Sequence, residues 1–110
     1  MTNLELVENF FKAYNGQDID KCCSYLHSDI KVQSLTSNQY TIAGIGNFKE
    51  FYSNTFKKFP NQMAVLKNRL VFEDTIIDEE ILHGRPENLE GDRGYVIYAF
   101  REGLIDRIWI

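Results

Sequence analysis

The chain of 110 residues has no apolar run long enough to cross a bilayer and no basic start followed by an apolar stretch. We therefore expect a cytoplasmic protein without a membrane partner. It contains only two prolines and no repeat or low-complexity tract, so nothing marks an internal boundary. A chain of this length holds one hydrophobic core, and we expect a single domain over residues 1–110.

Metal ligands and clustered positive charge are also scarce. The only cysteines, Cys22 and Cys23, are adjacent, which disfavours a disulfide between them and lacks the spacing of a metal site. The only histidines, His27 and His83, fall on different predicted elements, so we expect neither a metal nor a cofactor. The net charge is -4 and the densest basic run is Lys57–Lys58, which argues against a nucleic-acid partner.

The sequence does contain enough apolar and aromatic material, 44% and 14%, to build a core. Its first half has the periodicity of helices. Thr2 and Glu5 have the spacing of a capping box, and Asn15–Gly16 stops the helix that follows. Asp18 can cap a second, shorter helix, which we expect to end at His27–Asp29.

A third helix is predicted to begin at Asn47, with Glu50 as its capping partner, and to end before Pro60. One face of this helix carries mainly aromatic side chains, and its four phenylalanines predict deep burial. The residues of that face are Phe48, Phe51, Tyr52, Thr55, Phe56 and Phe59.

The remaining segments are rich in β-branched and aromatic residues, which favours strands joined by short connections. Three helices before such strands predict an α+β fold, with the helices on one face of a curved, mainly antiparallel sheet. A turn is predicted at Thr36–Gln39. The predicted strands are Ile30–Leu35, Tyr40–Ala43, Gln62–Phe72, Thr75–His83, Arg93–Phe100 and Leu104–Ile110.

Five strings of residues occur in an order that resembles the nuclear transport factor 2-like superfamily, especially its SnoaL-like and ketosteroid-isomerase-like branch. They are Phe10–Asp20, Leu26–Ile30, Gly46–Tyr52, Asp74–Gly84 and Gly103–Trp109. The resemblance implies a cone-shaped barrel with a pocket between the helices and the concave sheet face. It also implies a homodimer formed through the outer sheet face. It does not select one activity, because this fold hosts several kinds of enzyme and also binding domains.

The isomerase branch uses an aspartate base, with a tyrosine and a protonated aspartate donating hydrogen bonds to the developing oxyanion. On that pattern, the resemblance places Phe10 at the position of the tyrosine, Ser34 at that of the base and Val96 at that of the acid. Loss of an oxyanion donor typically costs about 3 to 4 kcal/mol of transition-state stabilisation. We therefore do not expect isomerase activity by that mechanism.

Other residues carry suitable groups near these positions. Tyr14 lies one helical turn after Phe10, and Tyr98 lies two strand residues after Val96, so each is either a pocket donor or a core aromatic. Asp78 and Glu80 share one face of a strand. In a dry pocket their repulsion and desolvation would raise one pKa and supply an acid and a base near neutral pH.

The register of the hairpin offers a different interpretation of the two carboxylates. If Glu73–Asp74 is the loop, Arg69 faces Asp78 and Lys67 faces Glu80 on the same side of the sheet. These opposite charges would keep both carboxylates ionised, as a structural ladder or a polar floor. A shift of one residue would reverse this conclusion.

We predict a pocket for a small, apolar organic ligand. The leading hypothesis is a cofactor-independent isomerase, lyase or cyclase acting by acid-base chemistry, and the alternative is a noncatalytic ligand-binding or dimerisation module. Arg85 either meets an anionic ligand at the pocket mouth or is a solvated loop residue. The candidate catalytic residues are Asp78, Glu80, Tyr14 and Tyr98, and the candidate ligand-binding residues are Phe10, Ser34, Phe51, Tyr52, Arg69 and Phe100.

Overall fold

A computed structural model describes residues 1–37 and 41–110, so the predicted turn and the following strand start lie partly outside the described residues. Three helices and six strands occur within those ranges. None of these helices is long and apolar enough to cross a membrane. The elements are α1 (Asn3–Asn15), α2 (Ile19–Ser24), β1 (Leu26–Gln33), β2 (Thr41–Ala43), α3 (Ile45–Lys58), β3 (Met63–Val71), β4 (Thr75–His83), β5 (Asp92–Arg101) and β6 (Leu104–Trp109).

The six strands form one sheet in the order β2-β1-β6-β5-β4-β3. Neighbouring strands are antiparallel except for β1 and β6, which are parallel. The predicted α+β class and mainly antiparallel sheet are therefore confirmed. Since β2 and β3 form the two edges among the described strands, the sheet stays open and does not close into a barrel.

The first two helices begin where the sequence predicts. The Thr2 hydroxyl accepts a hydrogen bond from the Glu5 amide at 3.1 Å, and the Thr2 amide donates to the Glu5 carboxylate at 3.0 Å. The Asp18 carboxylate accepts from the Lys21 amide at 3.1 Å. These side chains satisfy amide groups that a helix start otherwise leaves without partners.

The end of α2 differs from the prediction. The helix ends at Ser24, and Leu26, which lies before the predicted helix end at His27–Asp29, is the first residue of β1. Leu26 pairs with Ile105 of β6, and the Tyr25 carbonyl accepts a hydrogen bond from the Ile105 amide at 3.0 Å. This long-range pairing outweighs the local helical pattern.

Helix α3 also begins earlier than predicted. Its N-cap is Gly44, whose φ of 88° lies in the left-handed region that favours glycine. Asn47 lies within the helix, and its side-chain amide donates to the Ala43 carbonyl at 2.9 Å. The expected Asn47 cap is therefore wrong, although the helix end before Pro60 is confirmed.

The core lies between α1, α3 and the concave face of the sheet. Phe48 and Phe56 of α3 are buried, whereas Phe51 is 40% exposed, so the prediction of four buried phenylalanines is only partly correct. Cys22 is fully buried and, like Cys23, forms no disulfide. The remaining gap between α3 and the sheet is not filled by side chains, and this gap is the candidate site.

Candidate functional site

A partly open cavity of about 800 Å³ separates α1 and α3 from the concave face of β4 and β5. Its walls are mainly aromatic. Polar and charged side chains also reach it, and groups of this kind orient the ligand in small-molecule sites. The aromatic walls include Phe10, Phe48, Phe51, Tyr52 and Phe59, and the polar lining includes Tyr14, Glu80, Arg85 and Tyr98.

Glu80 places a carboxyl group in this cavity. Its cross-strand partners are Leu66 on β3 and Gly94 on β5, and Gly94 has no side chain to fill the space beside it. The pKa of Glu80 is raised to about 7, mainly by burial and also by the negative charge of Asp78, whereas the positive charge of Arg69 lowers it. Glu80 therefore populates both protonation states near neutral pH.

Asp78 lies two residues earlier on the same face of β4, but it is fully buried and does not line the cavity. Both of its carboxylate oxygens accept hydrogen bonds from Arg69, at 2.6 Å from Nε and 2.9 Å from Nη2. The pairing of these residues across β3 and β4 confirms the register that the sequence predicted. Both oxygens of Asp78 are thus used in a bidentate ion pair with Arg69.

The second predicted ion pair is wrong. The register of β3 and β4 shifts between Leu66 and Asn68, so Leu66 pairs with Glu80 and Lys67 has no partner residue in the ladder. This irregularity is a β-bulge, which inserts one residue into β3. Lys67 is exposed, and Glu80 lacks the cation that would have faced it.

Tyr14 belongs to a relay of polar side chains along one wall. Its hydroxyl oxygen accepts a hydrogen bond from Gln62 Nε2 at 2.9 Å. Gln62 Oε1 accepts from Arg85 Nε at 3.1 Å and from Arg85 Nη2 at 2.8 Å. Gln62 could not be predicted from the sequence, because these contacts join residues 48 and 23 positions apart and no local pattern marks them.

Tyr98 lies on β5 opposite Ile76 and is almost completely buried. Burial raises its pKa well above the ordinary value, and the charges of Glu80 and Asp78 raise it further. Burial is also the main cause that raises the pKa of Tyr14, and the neighbouring Tyr52 raises it as well. Both phenols therefore stay neutral at physiological pH and keep a proton to donate.

The position of Arg85 depends on the glycine before it. Gly84 has a φ of 90°, and a Cβ atom there would lie 2.1 Å from the Asn61 carbonyl oxygen. Only glycine permits this close approach. The guanidinium of Arg85 then lies over the ring of Phe59, 4.5 Å from its centroid, and borders the cavity.

The cavity brings together six of the ten candidate site residues and leaves four outside. Asp78 and Arg69 form the buried ion pair, and Phe100 packs against the core. Ser34 follows the end of β1 and does not line the cavity. Val96, at the position where the resemblance expects an acid, does line it. The six lining residues are Phe10, Tyr14, Phe51, Tyr52, Glu80 and Tyr98.

Comparison with known sequences gives one family. A model of the SnoaL-like domain matches residues 7–108, which is nearly the whole chain. No curated protein sequence matches the chain. The family assignment therefore stands on the domain model.

Solved structures share the fold at low sequence identity. An uncharacterized cystatin fold protein from Novosphingobium aromaticivorans is 21% identical with a TM-score of 0.88, covering 99% of this chain and 97% of that one. A candidate polyketide cyclase from Sinorhizobium meliloti is 17% identical with a TM-score of 0.77, covering 96% and 92%. A candidate ketosteroid isomerase from Kribbella flavida is 18% identical with a TM-score of 0.76, covering 96% and 73%. At these identities the similarity establishes the fold alone.

Proposed function

The chain belongs to the SnoaL-like domain family, and from this premise we propose that it is a cofactor-independent acid-base enzyme acting on a small, partly apolar molecule in the cavity. The observation that carries the proposal is the carboxyl group of Glu80 in an aromatic-walled cavity, with its pKa raised to about 7. A general base or acid works best when its pKa lies near the working pH.

The reaction we propose is proton transfer at a carbon next to a carbonyl group. The carboxylate of Glu80 removes the proton, and the electron pair of the broken C–H bond moves to the carbonyl oxygen. The resulting enolate oxygen receives a hydrogen bond from a neutral phenol. Glu80 then returns the proton to the same carbon or to another atom, so no external oxidant, reductant or cofactor is consumed.

The ion pair of Asp78 supports the choice of Glu80 over its neighbour. Arg69 occupies both oxygens of Asp78, and that carboxylate is buried away from the cavity. The two carboxylates therefore have different tasks. Asp78 supplies a fixed charge that raises the pKa of Glu80, and Glu80 alone faces the space where a substrate would bind.

The two phenols support the role of hydrogen-bond donor. Gln62 donates to the oxygen of Tyr14, which uses an acceptor site and leaves the phenol's own proton available for a substrate oxygen. Tyr98 is also neutral and borders the same cavity. Donors preorganised near a developing oxyanion stabilise the transition state without reorganisation during the reaction.

Hydrogen exchange on simple ketones tests this proposal. The protein is incubated in D2O with cyclohexanone or 2-tetralone, and loss of the α-proton signals is followed by NMR. We expect catalysed exchange whose rate rises with pH through about 7, as Glu80 loses its proton. Glu80→Gln should abolish the catalysed exchange, whereas Glu79→Gln, on the opposite face of β4, should preserve it.

A noncatalytic binding protein is the second candidate, favoured by the apolar side chains of Phe10 and Val96 in the cavity lining. The two candidates give different results with the same ketones. Binding without exchange, or exchange that persists in Glu80→Gln, contradicts the enzyme proposal. An ordinary pKa for Glu80 in a carboxylate NMR titration would remove its mechanism.

We also propose that two copies of this chain associate through the outer face of the sheet. Met63, Val65 and Leu70 of β3 point to that face, because their partners on β4 alternate with Glu80, and they are 52%, 41% and 50% exposed. An apolar patch of this kind can pair with its own copy about a two-fold axis. Sedimentation velocity should show a dimer that Leu70→Glu dissociates, whereas Leu89→Glu, in an exposed loop, should not. A monomeric wild-type protein would contradict this proposal.

A further inference from the structure

Arg85 presents a positive charge that is already oriented at the mouth of the cavity. Its guanidinium carries five N–H donors, and the two hydrogen bonds to Gln62 use two of them, which leaves three. The group also stacks on Phe59. These contacts hold the guanidinium in place before any ligand arrives, which reduces the entropy lost on binding.

No carboxylate neutralises this charge in the part of the chain that the structure describes. Arg69, Arg93 and Arg101 each form an ion pair with a carboxylate, whereas the acceptor of Arg85 is the neutral amide of Gln62. Asp92 also borders the cavity, but its carboxylate accepts a hydrogen bond from Asn88. Arg85 therefore differs from Arg69, Arg93 and Arg101, whose charges are paired with carboxylates.

A second cation lies at the same edge of the cavity. Lys58 Nζ is 5.3 Å from the centroid of the Phe59 ring, the ring on which Arg85 stacks, and both side chains border the cavity. The mouth thus combines two positive charges with an aromatic surface. Such a combination suits a ligand that has both a negative charge and an apolar ring.

Tyr14 connects this positive edge to the proton-transfer site. Burial is the main cause of its raised pKa, but the charge of Arg85 lowers that pKa and the charge of Glu80 raises it. Tyr14 is therefore within electrostatic range of both groups. A single small molecule can place its charge at Arg85 and its reacting carbon near Glu80.

We propose that the ligand of this cavity is a small aromatic or alicyclic carboxylic acid, whose carboxylate binds the guanidinium of Arg85 with support from Lys58. Its ring lies against Phe51 and Tyr52. This inference rests on the proposed function of the cavity as a small-molecule site, and it adds the chemical class of the molecule. The planar fork of an arginine matches the two oxygens of a carboxylate, which sets the orientation of the ring.

A matched pair of probes tests the inference. The anion 2-naphthoate and the neutral 2-naphthamide have the same ring system, and their affinities can be compared by calorimetry at pH 8. Wild-type protein should bind naphthoate about tenfold more tightly, as expected for a charge-assisted pair of hydrogen bonds. Arg85→Met should reduce this preference to less than about twofold, while leaving the affinity for naphthamide nearly unchanged.

The matched control is Arg101→Met, because Arg101 pairs with Asp29 and Asp106, does not line the cavity and is not expected to affect the preference. Lys58→Met removes an exposed charge with little risk to folding, and it should lower the preference by about twofold to threefold. It keeps the inference testable even if Arg85→Met does not fold.

The binding results distinguish a failure of the carboxylate inference from a failure of the proposal that the cavity binds small molecules. If wild-type protein binds both probes equally, or if the preference survives Arg85→Met or is unaffected by Lys58→Met, the carboxylate inference is overturned and the cavity remains a ligand site. If neither probe binds, the cavity proposal fails and the inference fails with it. A preference that Arg85→Met removes, while naphthamide still binds, supports both.

Discussion

Strand β4 borders two different environments on one face. Around Asp78 the space is filled, and the carboxylate is sealed into an ion pair with Arg69. Around Glu80, two residues further along, the strand borders a cavity, and the nearest positions on both neighbouring strands carry Leu66 and Gly94. The difference arises largely in β3, where the bulge at Lys67 removes the cation that regular pairing would have placed opposite Glu80. One inserted residue thus separates a buried, ion-paired carboxylate from one that faces the cavity.

The largest expected effect comes from removing the ion pair that Arg69 forms with Asp78. Arg69→Met leaves the buried carboxylate of Asp78 without its partner, which should lower the free energy of unfolding by about 3 to 5 kcal/mol. Urea denaturation measures this directly. Lys67→Met, in the exposed bulge of the same strand, should change stability by less than about 0.5 kcal/mol. Equal losses in the two variants would show that the ion pair does not set the stability of this region.

The next effect is the pH dependence that Glu80 gives to stability. Its pKa is about 7 in the folded protein against an ordinary value of 4.5, so the folded state holds this proton more tightly than the unfolded chain. The stabilisation is fully present below pH 4.5 and is lost as the pH rises through 7, a decrease of about 3 kcal/mol.

Denaturation of wild-type protein and Glu80→Gln at several pH values isolates this contribution, because the glutamine cannot titrate. The difference between the two proteins should change across this pH window and level off above it. Glu79→Gln should follow the wild-type curve. Parallel curves for wild type and Glu80→Gln would mean that Glu80 has an ordinary pKa in the folded state.

A smaller effect tests whether the two carboxylates communicate. Asp78→Asn removes a negative charge and leaves Arg69 to act on Glu80, so the pKa of Glu80 should fall by about one unit. Carbon NMR of the labelled glutamate carboxyl groups reports the change. An unchanged value near 7 would assign the whole shift to burial and would make the environments at the two ends of β4 independent.

The smallest expected effect concerns the hydrogen bond that Gln62 donates to Tyr14 in the cavity wall. Tyr14→Phe removes the oxygen that accepts from Gln62, leaving a mostly buried amide donor without that partner. The free energy of unfolding should fall by about 1 kcal/mol. Ketone exchange should slow while the pKa of Glu80 stays close to its wild-type value. Unchanged exchange would shift the donor role to Tyr98.

The fold could be predicted from the sequence where local patterns and tertiary contacts agree. The capping residues Thr2 and Asp18 mark helix starts, and the loop at Glu73–Asp74 gives the correct pairing of Arg69 with Asp78. The bulge could not be predicted, because it shifts the register without a distinctive residue type. That single irregularity made the second predicted ion pair wrong.

The site was predictable only in part for the same reason. Glu80 and the aromatic walls follow from side-chain alternation and helical periodicity. The relay through Gln62 depends on contacts between distant segments, and Gly84 acquires its importance only from the carbonyl of Asn61 that lies against it. Sequence patterns describe neighbours along the chain, whereas these residues are neighbours only after folding.

The position of β6 inside the sheet affects how the protein is made. While a ribosome synthesises the chain, β3, β4 and β5 can pair in turn, because each lies beside the next in space. Strand β1 can join β3, β4 and β5 in one sheet only through β6, which is the last of the six strands to be synthesised. A nascent chain halted before residue 104 therefore holds two separate sheet fragments with unpaired edges, which are prone to aggregation. Assembly of the aromatic-walled cavity is completed only when those final strand residues emerge.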